Sequence, residues 1–242
     1  MKKARNIIIS IISISSILTG IYFKDDLVEL MGDSVQFEKI EKVNLPSYKI
    51  DNIPEYDGDP YVFINDNKPF FEKKQLTTKS YEKYSKFDTL GRSGVAIANI
   101  SIELMPTEKR SGIGMIKPTG WHTVKYDNIE GKYLYNRCHL IGYQLTGENA
   151  NEKNLITCTR YMNTVGMLKW ENEVANYIKE TKNHVLYRVT PIFEGENLLA
   201  SGVEMEALSI EDNGEGIKFN VFVYNVQEGI KINYKDGSSQ KA

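Results

Sequence analysis

From residue 59 onward the sequence predicts an α+β domain built on an antiparallel β-sheet, preceded by a hydrophobic N-terminal helix. Three observations carry the prediction. Short apolar segments with period-two alternation recur along the chain, a turn signal joins two of them, and one long segment has helical periodicity. "YVFIN" (61–65) reads as a short strand. "GVAIANISIEL" (94–104) reads as a longer one, with Val95, Ile97, Ile100 and Ile102 as its apolar positions. "MPTEKRSGIGMIKPTGW" (105–121) is a loop, because Gly and Pro interrupt it throughout. "GKYLYNRCHLIGY" (131–143) has the aromatic and aliphatic content of a strand, and "NLITCTRYM" (154–162) suggests another short one. "GMLKWENEVANYIKETKN" (166–183) is the clearest helix. The tail returns to strands at 184–193, 198–210 and 217–226, with "DNGEG" (212–216) as the turn before the last.

The 242 residues carry a formal net charge of −2, so the whole molecule has no general attraction for nucleic acid or an anionic membrane. A polyanion site must then be local. Residues 107–170 supply one candidate, holding nine Lys/Arg against five Asp/Glu.

The N-terminus places Lys2, Lys3 and Arg5 before the uncharged, mostly apolar run Ile7–Phe23, which reads as an export signal. At about 17 residues it is just long enough to span a bilayer, and no small-x-small cleavage site closes it. Segment 1–23 is therefore read as a retained membrane anchor or a signal peptide, 24–58 as a polar linker, and 59–242 as one extracytoplasmic domain. Cys138 and Cys158 are the two cysteines. In an oxidising compartment they form one disulfide or remain two buried thiols, and no cluster suggests structural zinc.

The stretch "YNRCHL" (135–140) places Cys138 beside His139, but a strand sends neighbouring side chains to opposite faces, so the two cannot act as a nucleophilic dyad. The same rule puts Arg137 and His139 on one face. A fixed cation next to an imidazole lowers the histidine pKa by like-charge repulsion, an arrangement suited to holding a phosphate. On the helix, Leu168, Glu171, Ala175 and Ile178 fall on one stripe, so a carboxylate interrupts the apolar face, whereas Glu173 lies off it. Asn163 lies near the helix start, where a cap or turn residue is the plain reading, and Asn154 belongs to a loop.

In order and spacing, Arg137, His139, Asn154, Asn163 and Glu171 resemble the DNA/RNA non-specific endonucleases of the ββα-metal (His-Me finger) class, whose signature Asp-Arg-Gly-His precedes two asparagines and a helical glutamate. The likeness covers roughly 88–234 and is greatest to Gram-positive membrane-anchored DNA-entry nucleases and secreted DNases. Asn136 and Cys138 replace the Asp and Gly of the signature, and Cys158 stands where glycine is usual.

The resemblance implies a sheet core carrying a ββα-metal motif and a sequence-non-specific, Mg²⁺-dependent (or Mn²⁺-dependent) hydrolysis of DNA, with RNA as an alternative substrate and no organic cofactor. It implies His139 as general base, Asn163 as metal ligand, and Glu171 as acceptor for the waters around the ion. It further implies Asn154 as an orienting residue, Arg137 as phosphate cation, and Arg160 and Lys169 as substrate contacts. The membrane is a partner only through the N-terminal segment. Other classes compatible with the sequence are a non-catalytic DNA-binding or uptake module and a secreted antibacterial nuclease toxin.

Overall fold

The computed structural model describes residues 53–242. The expected anchor 1–23 and most of the 24–58 linker lie outside the described residues. Among the described residues, no helix is long and apolar enough to cross a membrane.

The strands are β1 (Tyr61–Phe63), β2 (Tyr81–Tyr84), β3 (Ala96–Ile100), β4 (Tyr135–His139), β5 (Leu155–Thr159), β6 (Val185–Ile192), β7 (Gly202–Ser209), β8 (Lys218–Tyr224), β9 (Ile230–Ile232) and β10 (Ser239–Lys241). Six of them form an antiparallel sheet in the order β1-β8-β7-β6-β3-β2. β4 pairs with β5, and β9 with β10. Among the described residues two α-helices complete the frame: a single turn, α1 (Tyr143–Thr146), and the long α2 (Leu168–Thr181). The predicted α+β antiparallel architecture is therefore present, with β2, β9 and β10 beyond what the alternation indicated.

Strand alternation divides the large sheet into two unlike faces. Ala96, Ala98 and Ile100 of β3, Val185, Tyr187 and Val189 of β6, Val203, Met205 and Ala207 of β7, and Phe219, Val221 and Val223 of β8 are all buried in one apolar cluster. That cluster also takes in Trp170, Val174, Ala175 and Ile178 of α2 and Cys138 and Ile156 of the β4-β5 pair. Burying these side chains, at roughly 1.5–3 kcal/mol for each large one, is what seats the β4-β5-α2 unit on the sheet.

The β3 pattern is shifted by one residue from the sequence reading. Its core positions are Ala96, Ala98 and Ile100, while Ile97 turns to the other face and Ile102 is 44% exposed. Two small alanines were overlooked as core because a close-packed sheet needs little volume there.

The helix also differs in detail. Its buried stripe is Trp170, Val174, Ala175 and Ile178, and Leu168 is 39% exposed at the edge of that stripe. Glu171 still lies on the inward side, four residues after buried Met167 and four before Ala175. Upstream of α2, Met162–Met167 form a wide π-helical turn. Thr159 caps the start, its Oγ1 accepting from Met162 N at 3.0 Å. Asn163 therefore lies inside the first turns, and the capping role belongs to Thr159.

Cys138 and Cys158 are joined in a disulfide with Cα atoms 5.8 Å apart. They sit on the inward face of the β4-β5 pair as diagonal neighbours two ladder positions apart, Cys138 opposite Ile156 and Cys158 opposite Asn136. Neither sulfur is available as a nucleophile.

Candidate active site

β4, α2 and the 109–116 loop enclose a cleft of about 630 Å³ lined by Arg110, Asn136, Arg137, His139, Arg160, Asn163 and Glu171, among others. Cys138 points into the core while Arg137 and His139 face this cleft, as strand alternation requires.

His139 ends β4 and is 6% exposed. Its Nε2 lies 2.8 Å from the carbonyl of Asn149. A carbonyl only accepts, so Nε2 carries the proton, and in the neutral ring Nδ1 keeps the lone pair. Nδ1 lies 3.5 Å from Nη2 of Arg110. Burial holds the His139 pKa below the ordinary histidine value. The Arg110 charge adds to that lowering, and the Asn149 hydrogen bond opposes it. The cation facing the imidazole is thus Arg110, not Arg137 as the strand register suggested.

Arg137 is otherwise engaged. Its Nη2 donates to Gly114 O at 2.7 Å, its Nε donates to Ile116 O, and its guanidinium lies 3.9 Å from the Trp121 ring centre. With these contacts it holds in place the loop that delivers Arg110.

Asn154 is fully buried and clamps the backbone of Ile141, accepting from its N–H at 2.9 Å and donating to its C=O at 3.0 Å. The backbone carbonyl of Asn154 accepts from Leu140 at 2.8 Å. The residue thus fixes the chain immediately after His139 without entering the cleft, which is an orienting position.

Asn163 and Glu171 both line the cleft. Eight residues of ordinary α-helix make about 2.2 turns and would rotate the two side chains apart by about 80°. The π turn absorbs roughly one extra residue and restores a common face, a use of π-bulges that recurs at functional sites. The Asn163 amide makes no hydrogen bond to a described residue.

Glu171 keeps an edge on the cleft while protein encloses its carboxylate. Desolvation is the main cause of its pKa being pushed up to about 7, with a Gln144 hydrogen bond and the Arg110 charge acting the other way. Its neighbour Gly142 explains why "LIGY" carries a glycine. A Cβ there would lie 2.6 Å from Glu171 Oε2, closer than packed atoms tolerate.

Arg160 reaches the cleft and pairs with Glu130 at 3.4 Å. Lys169 does not reach it. It lies 4.1 Å from the Trp170 ring centre, donates to Tyr61 OH at 3.0 Å and pairs with Glu173 at 3.8 Å. One helical step of about 100° separates it from the cleft side occupied by Leu168. Arg110 is the cleft residue the sequence reading missed. It sits in a Gly-rich loop with no periodicity, and only the basic content of that region marked it.

Among the described residues no group of three or more His, Cys, Asp or Glu could hold a metal ion, which excludes a zinc-type cage there. One amide oxygen free of partners with a carboxylate in the same cleft fits Mg²⁺, an ion that keeps most of its water and takes few protein ligands.

Comparison with known proteins identifies the fold and the family. A curated deoxyribonuclease of Streptococcus dysgalactiae subsp. equisimilis is 35% identical over 112 residues, which span 43% of this chain and 32% of that protein. The chain thus matches about a third of that relative's length. NucA from Streptococcus agalactiae, solved without metal and with magnesium bound, superposes with a TM-score of 0.69 at 24% identity, covering 80% of this chain and 92% of NucA. The Sda1 nuclease, solved with a bound zinc ion, gives 0.63 at 26% identity over 76% of this chain and 97% of Sda1. Residues 72–210, more than half of the chain, match the model for the DNA/RNA non-specific endonucleases, and the chain belongs to that family.

Proposed function

We propose that this chain is a sequence-non-specific, Mg²⁺-dependent endonuclease that hydrolyses phosphodiester bonds of DNA, and of RNA as a second substrate, outside the cytoplasm. The observation that carries the proposal is the imidazole of His139, with Nε2 tied to the Asn149 carbonyl and Nδ1 facing a cleft shared with Arg110, Asn163 and Glu171.

In this reading Nδ1 of His139 takes the proton from the attacking water, and its lowered pKa keeps it neutral and ready at pH 7. Asn154 orients the base through the backbone of Ile141. Asn163 would hold Mg²⁺ through its amide oxygen, with Glu171 behind it. When bound, the ion supplies positive charge to the phosphoryl oxygens and the departing 3′ oxygen. Arg110 neutralises the phosphate beside the base, Arg160 meets the strand further along the cleft, and Arg137 acts through the loop it holds. Phosphate contacts carry no base information, which makes cleavage non-specific. The export reading of 1–23 supports action outside the cytoplasm, as does the disulfide between Cys138 and Cys158.

Plasmid nicking by the full chain tests this directly. Mg²⁺ should support conversion of supercoiled to open-circular and linear DNA, and EDTA and His139→Ala should each stop it. Nicking that persists in EDTA removes the metal, and DNA binding without nicking returns the chain to a non-catalytic DNA-binding module.

A further inference from the structure

The cleft is lined by aromatic rings as well as by the reacting groups. Trp121, Tyr133, Tyr135 and Tyr143 all line it, but three of these rings are committed. Trp121 carries the Arg137 guanidinium and donates from Nε1 to Thr123 at 3.3 Å. Tyr135 is buried with its hydroxyl on Gly237 O at 2.9 Å, and Tyr143 donates to Glu108 O at 2.9 Å.

Tyr133 is different. The residue is 45% exposed and its hydroxyl makes no hydrogen bond to a described residue; Lys125 Nζ, across an isolated β-bridge, lies over one face of the ring, 4.5 Å from its centre, so a base would stack on the other face. The Arg160 guanidinium, which lines the same cleft, packs against Gly131 two residues before Tyr133, with Cζ 3.6 Å from where a Cβ would lie. An exposed ring with one cation on its face and a second in the same cleft matches the elements with which proteins hold unpaired nucleotides: a face for the base and charge for the neighbouring phosphates.

We propose that Tyr133, with Lys125 and Arg160, forms a stacking subsite for one unpaired nucleobase of the substrate strand. The subsite gives this enzyme a preference for single-stranded or locally unpaired nucleic acid. The proposal rests on the nuclease reading above and specifies its substrate class. Tyr133 and His139 are six residues apart and line the same cleft. Extended chain of that length spans at most about 20 Å between Cα atoms, so the stacked base belongs to a nucleotide a few steps from the cleaved bond. A base paired inside a duplex has no face free to meet the ring, whereas its phosphates still reach the cations.

The test is steady-state cleavage by the full chain in Mg²⁺ of a single-stranded oligonucleotide, of its duplex, and of a single strand built from stable abasic (tetrahydrofuran) nucleotides. Tyr133→Ala should raise KM roughly ten-fold on the base-bearing single strand while leaving kcat and the duplex KM unchanged, and Tyr133→Phe should restore it. Wild-type protein should show the same raised KM on the abasic strand, a measurement that needs no variant to fold. Unchanged KM on the single strand, equal loss on both forms, or indifference of the wild type to missing bases would overturn the subsite alone. Wild-type protein that cuts none of the three substrates would overturn the nuclease reading and the subsite with it.

Discussion

The two faces of the six-stranded sheet are built from alternate residues of the same strands, yet they do different work. The face toward α2 and the β4-β5 pair is apolar across β3, β6, β7 and β8. The opposite face buries Asn99, Arg188, Glu204, Glu206 and Asn220. Side-chain bonds to the 67–80 segment join that segment to the polar face. Arg188 pairs with Glu206 and donates to Phe70 O at 2.6 Å, Glu206 accepts from Phe70 N at 2.7 Å, and Asn220 donates to Lys68 O at 3.1 Å. Asn99 donates to the carbonyls of Thr77 and Lys79.

The difference teaches how polar burial can be divided. The polar face bonds to the 67–80 segment and serves architecture, while the apolar face gives α2 and β4 a rigid seat from which a few polar groups reach the cleft. Changes around the cleft should therefore alter rate, and changes on the polar face should alter stability.

The largest effect should come from the base. His139→Ala is expected to lower cleavage about 10²- to 10⁴-fold without changing the melting temperature or DNA binding, measured by nicking, thermal melts and filter binding. In the wild type the rate should rise with pH around a midpoint below the ordinary histidine value, because burial and Arg110 both disfavour the charged ring. Arg110→Ala removes one of those causes and should move the midpoint up. A midpoint that stays put would detach Arg110 from the base.

Next come Asn163→Ala and Glu171→Ala, each expected to lose about 10- to 100-fold in activity or in apparent Mg²⁺ affinity, read from Mg²⁺ titrations of the cleavage rate. Equal loss on Glu173→Ala would mean that the helix, not the cleft, had been damaged.

On the polar face, Arg188→Met leaves the Glu206 carboxylate buried without its counter-charge, and should cost about 3–5 kcal/mol of stability in urea unfolding, with kcat per folded molecule unchanged. Arg188→Met combined with Glu206→Leu should recover most of that loss. A drop in kcat of the folded variant would break the division between the faces.

Glu171→Gln links the two kinds of effect. A carboxyl whose folded pKa is raised to about 7 binds its proton more tightly in the native state, so its ionisation weakens the fold as pH climbs from the unfolded carboxyl value toward 7. The amide cannot ionise, and Glu171→Gln should be more stable than wild type at pH 8 by roughly 3 kcal/mol. At pH 4 that advantage should vanish, and cleavage should fall at every pH. The smallest effect belongs to His122→Ala. That ring touches Asp236 O on the exposed surface, so it should stay within about 0.5 kcal/mol of wild type.

Much of this was legible in the sequence where the signal was local periodicity. Seven of the ten strands and α2 fall in segments read from alternation, turn residues and helical spacing. Arg137 and His139 share a face because a strand has period two, and Glu171 is read as inward from its spacing to Leu168, Ala175 and Ile178. β2, β9 and β10 were missed because short segments such as "YEKY" and "SQK" carry too few apolar residues to show a period. Leu168 was assigned to the core on hydrophobicity, although the stripe is centred elsewhere.

The sequence by itself determined the elements, the common face of Arg137 and His139, and the carboxylate on the buried side of the helix, since each follows from geometry repeating over a few residues. Only the tertiary structure decided that Arg110, 29 positions before His139 in the chain, is the cation at the imidazole, and that Arg137 holds the loop carrying it. Tertiary structure likewise joined Cys138 to Cys158, widened the helix start so that Asn163 meets Glu171, and turned Lys169 away. These outcomes depend on where distant segments come to rest against one another, and no local period encodes that.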